Sequence, residues 1–169
     1  LIPATAQLQK KDIVYRVQAS SARAIICVEE DEVRSHVLAS AEDCDTLQCL
    51  WTLGECEGFL DFDAQLEAAS PVWEKPAELP ANDDIMLMYF TSGTTGMPKM
   101  AAHSWTYPIA QTVTAYYWHN VGDDDIHIAV ADTGWAKAGW GKLYGQWICG
   151  ATLFVYDFDR FIAADMLKM

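Results

Sequence analysis

The chain has 169 residues, of which 51% are hydrophobic and 21% charged. That length suits one compact domain or a piece of a larger one, and the composition excludes a disordered or collagen-like chain. Net charge is −13, and residues 29–84 concentrate it: 16 Asp and Glu stand there against Arg34 and Lys75, while the rest of the chain holds 8 acids and 9 bases. Such a field repels nucleic acid and anionic lipid, so neither is an expected partner.

No apolar run reaches the length of about 20 residues that a membrane-spanning helix needs. The start of the chain lacks the basic segment and apolar core of a secretory signal. Cys27, Cys44, Cys49, Cys56 and Cys149 are odd in number and never spaced C-x-x-C. They read as small apolar residues in a reducing compartment rather than zinc ligands, and the expected location is cytoplasmic. The first residue is Leu1, not Met, and the last helical stretch stops at Lys168 and Met169 without a C-cap signal. An internal fragment is the expected status of the chain.

Taken in order, the apolar run at 24–28 predicts a strand. Residues 30–40 predict a helix with Val33, Val37 and Leu38 on one face. Residues 47–53 predict a second strand, and 61–69 a helix with Phe62, Leu66 and Ala69 inward. The stretch 70–84, rich in proline and acid, predicts a loop or crossover. A strand is predicted at 85–90 and a helix at 103–119, with Ser104 as N-cap and Pro108 in the first turn. Further strands are predicted at 126–131 and 151–156, and further helices at 136–149 and 160–169. This alternation predicts an α/β fold with a mainly parallel sheet and helices on its faces.

One segment stands apart: Thr91-Ser92-Gly93-Thr94-Thr95-Gly96-Met97-Pro98-Lys99 follows the strand at 85–90. Its glycines let backbone N–H groups turn toward an anion, and its hydroxyls add neutral donors. Lys99 is the only basic residue between Lys75 and Lys137, so it concentrates positive charge in an acidic chain. The segment is not a Walker A loop. Met97 and Pro98 separate Gly96 from Lys99, Met100 follows the lysine, and Pro98 bars direct passage into a helix. A plain Gly/Ser/Thr turn between two strands is the structural alternative.

Tyr89 to Lys99 closely resembles the phosphate-loop signature of the adenylate-forming superfamily, which includes acyl-CoA synthetases, luciferases and peptide-synthetase adenylation domains. Lys11-Asp12-Ile13-Val14-Tyr15-Arg16, Met100-Ala101-Ala102-His103-Ser104, Asp132-Thr133-Gly134-Trp135 and Gly150-Ala151 resemble segments of the medium-chain acyl-CoA synthetases.

The resemblance implies an AMP-forming acid–thiol ligase whose substrates are ATP, a small carboxylic acid and coenzyme A, with Mg2+ on the phosphates. It implies that Thr91, Ser92, Gly93, Thr94, Thr95, Gly96 and Lys99 cradle the β- and γ-phosphates, with Lys99 as the catalytic residue. It also implies that Trp135 borders the acyl pocket or the pantetheine channel. Gly139 and Trp140, about one helical turn further on, can shape the same pocket or simply pack. No protein metal ligand is expected within this chain, because the family's magnesium-binding glutamate lies in a segment that is missing here. The ribose-binding aspartate and the C-terminal domain with its adenylation lysine are missing too. The chain therefore resembles the interior of a large N-terminal domain, expected to be inactive alone and open to self-association. Two alternatives stay open: a catalytically silent nucleotide-binding or structural module, and a peptide-synthetase adenylation domain. Asp123-Asp124-Asp125 reads as a solvated loop, His103 as a structural residue at a helix start, and His36, His119 and His127 as lacking partners at metal spacing.

Overall fold

The computed structural model describes residues 1–92, 96–156, 158 and 160–168. The described chain divides into two compact units, Leu1–Tyr107 with Asp132–Ala136, and Pro108–Ala131 with Lys137–Met169.

In the first unit, helix α1 (Lys10–Ser20) buries Ile13 and Val17, which are four residues apart and so share one face. The Asp12 carboxylate accepts the Gln9 backbone N–H at its start (3.3 Å). Ser21 ends the helix in the left-handed region, its N–H turned back to Val17 and Gln18 carbonyls. Sequence periodicity had left this stretch unassigned, because only two apolar positions mark its inner face.

Strand β1 (Ala24–Cys27), helix α2 (Asp31–Ala41) and strand β2 (Cys49–Thr52) form a β-α-β unit, with parallel pairing from Ala24↔Cys49 to Cys27↔Thr52. Strand β3 (Leu60–Asp61) extends the sheet in parallel. Ile13, Val17, Cys27, Val37 and Cys44 make the core, with Val33, Leu47, Leu50 and Phe59 packed around it. Leu38 is not on the buried face of α2 as expected; it is 38% exposed. Arg34 takes an inward position instead. Its Nε donates to Thr52 Oγ1 (2.9 Å) and its Nη2 to the Leu53 carbonyl (2.6 Å), tying α2 to the end of β2.

Asp61 caps helix α3 (Phe62–Ala68) by accepting the Ala64 N–H at 3.1 Å. Its expected inner face is not one, since Leu66 and Ala69 are both exposed.

Strand β4 (Ile85–Thr91) buries Leu87 and Tyr89 and pairs antiparallel with β5 (Lys99–Ser104). This corrects the helix expected from residue 103: His103 and Ser104 end a strand, and helix α4 (Tyr107–Tyr117) starts only afterwards. Pro98 does keep the loop from running into a helix, and Pro108 does sit in the first turn of α4.

In the second unit α4 ends where Trp118 and His119 both donate to the Thr114 carbonyl (3.0 Å each) and Asn120 turns left-handed. Strands β6 (Ile126–His127) and β7 (Thr152–Leu153) pair in parallel and are shorter than expected. The helix expected at 136–149 is broken into α5 (Ala136–Ala138), a π-helical turn (Gly139–Leu143) and α6 (Tyr144–Ile148). Gly145 permits the close approach of α6 to α4, because a Cβ there would run into the Gln111 carbonyl and touch Ala115 Cβ at 3.0 Å. Of the last predicted helix, α7 (Ala163–Met166) forms. Of the four pairings among the described residues three are parallel, as the alternating pattern predicts, and β4–β5 is the exception.

Candidate functional site

The Thr91–Lys99 segment closes the β4–β5 pair. Thr91 and Lys99 face each other in the ladder, and Thr91 Oγ1 donates weakly to the Lys99 carbonyl (3.4 Å). This pair makes a neck, with Ser92 on one side and Gly96, Met97 and Pro98 on the other. Of the expected phosphate ligands, Thr91, Ser92, Gly96 and Lys99 are at the neck or beside it and all are exposed. Gly93, Thr94 and Thr95 lie outside the described residues. Gly96 has φ +114° with open space around an added Cβ, so the backbone alone demands glycine. Lys99 pairs with no carboxylate among the described residues. An unpaired, exposed ammonium beside hydroxyls and a left-handed glycine is an arrangement that can receive an anion.

Helix α1 touches both sides of this neck. Tyr15 Oη donates to the Pro98 carbonyl at 2.7 Å. The Tyr15 ring meets Phe90 edge-on at 5.9 Å, and the Arg16 guanidinium sits 4.9 Å above the same ring. Burial lowers the Arg16 pKa, with Asp12 opposing, and the group stays cationic. His103, expected at a helix start, projects from β5 into an aromatic group with Tyr89 (5.5 Å) and Tyr107 (4.4 Å).

The Asp132-Thr133-Gly134-Trp135 segment is a tight turn in the same unit. Asp132 accepts from Thr5 Oγ1 (3.0 Å) and from the Gly134 N–H (2.7 Å), while the Trp135 N–H donates to the Asp132 carbonyl (3.0 Å). Gly134 lies against the Ala4–Thr5 backbone, where a Cβ would overlap Thr5 N and Ala4 C. Trp135 is 67% exposed, so ordinary core packing does not account for it.

Gly139 and Trp140 belong to the second unit and stand at the start of the π turn. Gly139 is buried and Trp140 half-buried. The Trp140 ring lies nearly parallel to that of His119, 10° apart with centroids at 6.1 Å. Gln146, fully buried, donates its Nε2 to His119 Nδ1 (2.8 Å) and, at the 3.5 Å limit, to the Trp140 carbonyl. A carbonyl can only accept, so the amide NH2 faces Trp140, and His119 Nδ1 must be the acceptor. The His119 proton is then on Nε2 and the ring is neutral. Burial lowers the His119 pKa, and His127 and Lys137 push in the same direction. His127 Nε2 lies 2.8 Å from the Gly141 carbonyl and donates to it. Gln146 Oε1 is buried without a partner among the described residues. Sequence reading missed this cluster, because its members are 27 positions apart and meet only through the fold. A single polar residue in the apolar run 144–148 was the one available signal.

The remaining candidates are structural. Asp125 accepts the Gly122 N–H (2.9 Å) and so closes the loop before β6. All five cysteines are free thiols, with Cys27 and Cys44 buried; burial raises both pKa values. Among the described residues no group of three or more His, Cys, Asp or Glu is arranged to hold a metal ion. No helix among them is long and apolar enough to cross a membrane.

Comparison with known proteins agrees with this geometry. The chain is 38% identical over 98% of its length to acyl-coenzyme A synthetase ACSM4, mitochondrial, of Mus musculus. It is 36% identical over 99% of its length to acyl-coenzyme A synthetase ACSM5, mitochondrial, of the same species. It spans only 29% of the length of either relative. Its fold is similar to that of the anthranilate CoA ligase AuaEII, crystallised in complex with anthranoyl-AMP. The TM-score is 0.81 at 22% identity, covering 95% of this chain and 31% of that one. The family of AMP-binding enzymes matches residues 1–169 in full, and the chain belongs to that family.

Proposed function

We propose that this chain is the part of an AMP-forming acyl-CoA synthetase's large N-terminal domain that carries the nucleotide-phosphate loop. The observation that carries the reading is the β4–β5 neck, with Lys99 exposed and unpaired beside Thr91, Ser92 and Gly96. Gly93, Thr94 and Thr95 complete the loop in this proposal.

In the reaction proposed for the whole protein, a carboxylate oxygen attacks the α-phosphorus of ATP. The bond to the bridging oxygen breaks, and pyrophosphate leaves with that electron pair. The resulting acyl-adenylate has a good leaving group where the carboxylate had a poor one. The sulfur of coenzyme A then attacks the acyl carbon, its proton is lost, and AMP departs. Such adenylyl transfer needs placement and charge neutralisation more than covalent help. Lys99 supplies the charge against pyrophosphate, and the hydroxyls and backbone N–H groups follow its oxygens. In this proposal Mg2+ would rest on the phosphates and offset their charge.

In this proposal Trp135, exposed in the first unit, borders the acyl pocket or the pantetheine channel. The free cysteines support a reducing compartment, and a cytoplasmic location is the proposal for this chain. The curated relatives carry "mitochondrial" in their names, so cell fractionation decides between two reducing compartments.

The test is Lys99→Ala in the intact protein, read by ATP–pyrophosphate exchange. We expect a fall of about 100-fold or more, as for loss of one preorganised charge donor. Exchange at the parent rate would remove the loop from the mechanism.

A further inference from the structure

We propose that Tyr15 is a positioning residue for the phosphate loop, acting through the Pro98 carbonyl to set the direction in which Lys99 leaves the neck. The inference rests on the loop reading above.

The proline ring fixes φ at Pro98, which leaves ψ as the one soft backbone angle before Lys99. That angle sets where the Pro98 carbonyl points and, with it, the plane of the Pro98–Lys99 peptide. Tyr15 Oη grips that carbonyl at 2.7 Å, from a helix 83 positions away in sequence. Both angles at Pro98 are therefore constrained, one by its own ring and one by α1.

The other side of the neck is held by the same helix turn. Phe90, which precedes Thr91, is met by the Tyr15 ring edge and lies under the Arg16 guanidinium. Adjacent helix residues point roughly 100° apart, so Tyr15 and Arg16 can hold two separate strand ends from one turn. Within the neck itself the side-chain link among the described residues is the long Thr91–Lys99 contact of 3.4 Å. The ladder fixes the strand backbones up to Thr91 and Lys99, and a lysine that must meet phosphate oxygens loses much of its effect when displaced by about an ångström. Among the described residues, the side-chain grip on the Pro98 carbonyl comes from α1. The segment around Tyr15 and Arg16 thus has a task at the loop as well as in the core, where Ile13 and Val17 of the same helix are buried.

The experiment uses the intact protein with three variants: Tyr15→Phe, Pro98→Ala and the two combined. Lys99→Ala serves as the reference for the loop itself. Tyr15→Phe keeps the ring against Phe90 and removes only the hydroxyl. We expect KM for ATP to rise about two- to tenfold, the effect of one hydrogen bond, with KM for the acid and the thermal midpoint unchanged. The double variant should be non-additive, because both changes act on the same backbone angles. If Lys99→Ala is damaging but Tyr15→Phe leaves KM for ATP unchanged, or moves both KM values equally, the positioning role is overturned and the loop reading stands. If Lys99→Ala itself is without effect, the loop reading fails and this inference fails with it.

Discussion

At the scale of single residues, the Asp132-Thr133-Gly134-Trp135 turn shows which parts of a motif are chemical and which are steric. Asp132 holds the turn by accepting from Thr5 and Gly134, and Gly134 leaves the space that the Ala4–Thr5 backbone occupies. Trp135 is exposed at 67%. Asp132 and Gly134 thus shape the turn that presents Trp135. Gly134→Ala should destabilise the fold by about 1–3 kcal/mol, since backbone rather than a flexible side chain must yield. Urea denaturation would measure it, and an unchanged midpoint would show that the N-terminal segment does not lie against this turn. Arg34 makes a similar point. Sequence reading counted it only as one of two bases in an acidic stretch, but its guanidinium is buried against Thr52 and the Leu53 carbonyl.

At the scale of elements, the π turn is the feature least visible beforehand. Residues 136–149 have the apolar content of one helix, and three consecutive helical pieces of different pitch run from Ala136 to Ile148. The wider turn arises where Gly139 and Gly141 allow the backbone to open, and it places the Trp140 carbonyl toward Gln146 and its ring beside His119. Such turns often mark functional positions.

The neutral state of His119 couples this arrangement to pH. Its folded pKa lies below the ordinary value of 6.5, through burial first and then His127 and Lys137. The unfolded chain therefore binds the proton more readily. The stability this group contributes is complete above pH 6.5 and is lost as pH falls through the folded pKa. Histidine C2–H titration by NMR should place His119 below 6.5, and His119→Phe should flatten the fall in urea midpoint on the acid side. A titration at or above 6.5 would refute the lowered pKa. Strand β5 was likewise hidden. Met100, Ala101 and Ala102 suit a helix locally, and only antiparallel pairing with β4 makes them a strand.

At the scale of the whole chain, charge and exposed apolar surface are unevenly placed. Residues 29–84 carry a net −14, while the rest is close to neutral. Helix α4 presents Ile109, Val113, Tyr116 and Tyr117 outward, each 59–79% exposed, at helical spacing along one stripe. A stripe of that kind, next to Trp118 at 80% exposure, exceeds what a soluble monomer usually shows. The isolated chain should self-associate at micromolar concentration, more so as salt screens the acidic region. Light scattering across a dilution series would test this, and a clean monomer at high salt would count against it.

The α/β class was legible in the sequence by itself, because it depends on local periodicity, and so was Lys99 as an isolated positive charge that follows a strand and a proline barring a helix. The antiparallel β4–β5 neck, the hold of Tyr15 on Pro98, the buried Arg34 and the His119–Gln146–Trp140 cluster were decided only by the tertiary structure. Each joins residues from 8 to 83 positions apart. Their partners are chosen by which surfaces meet when the core is buried, and no short stretch of sequence contains both halves of that choice.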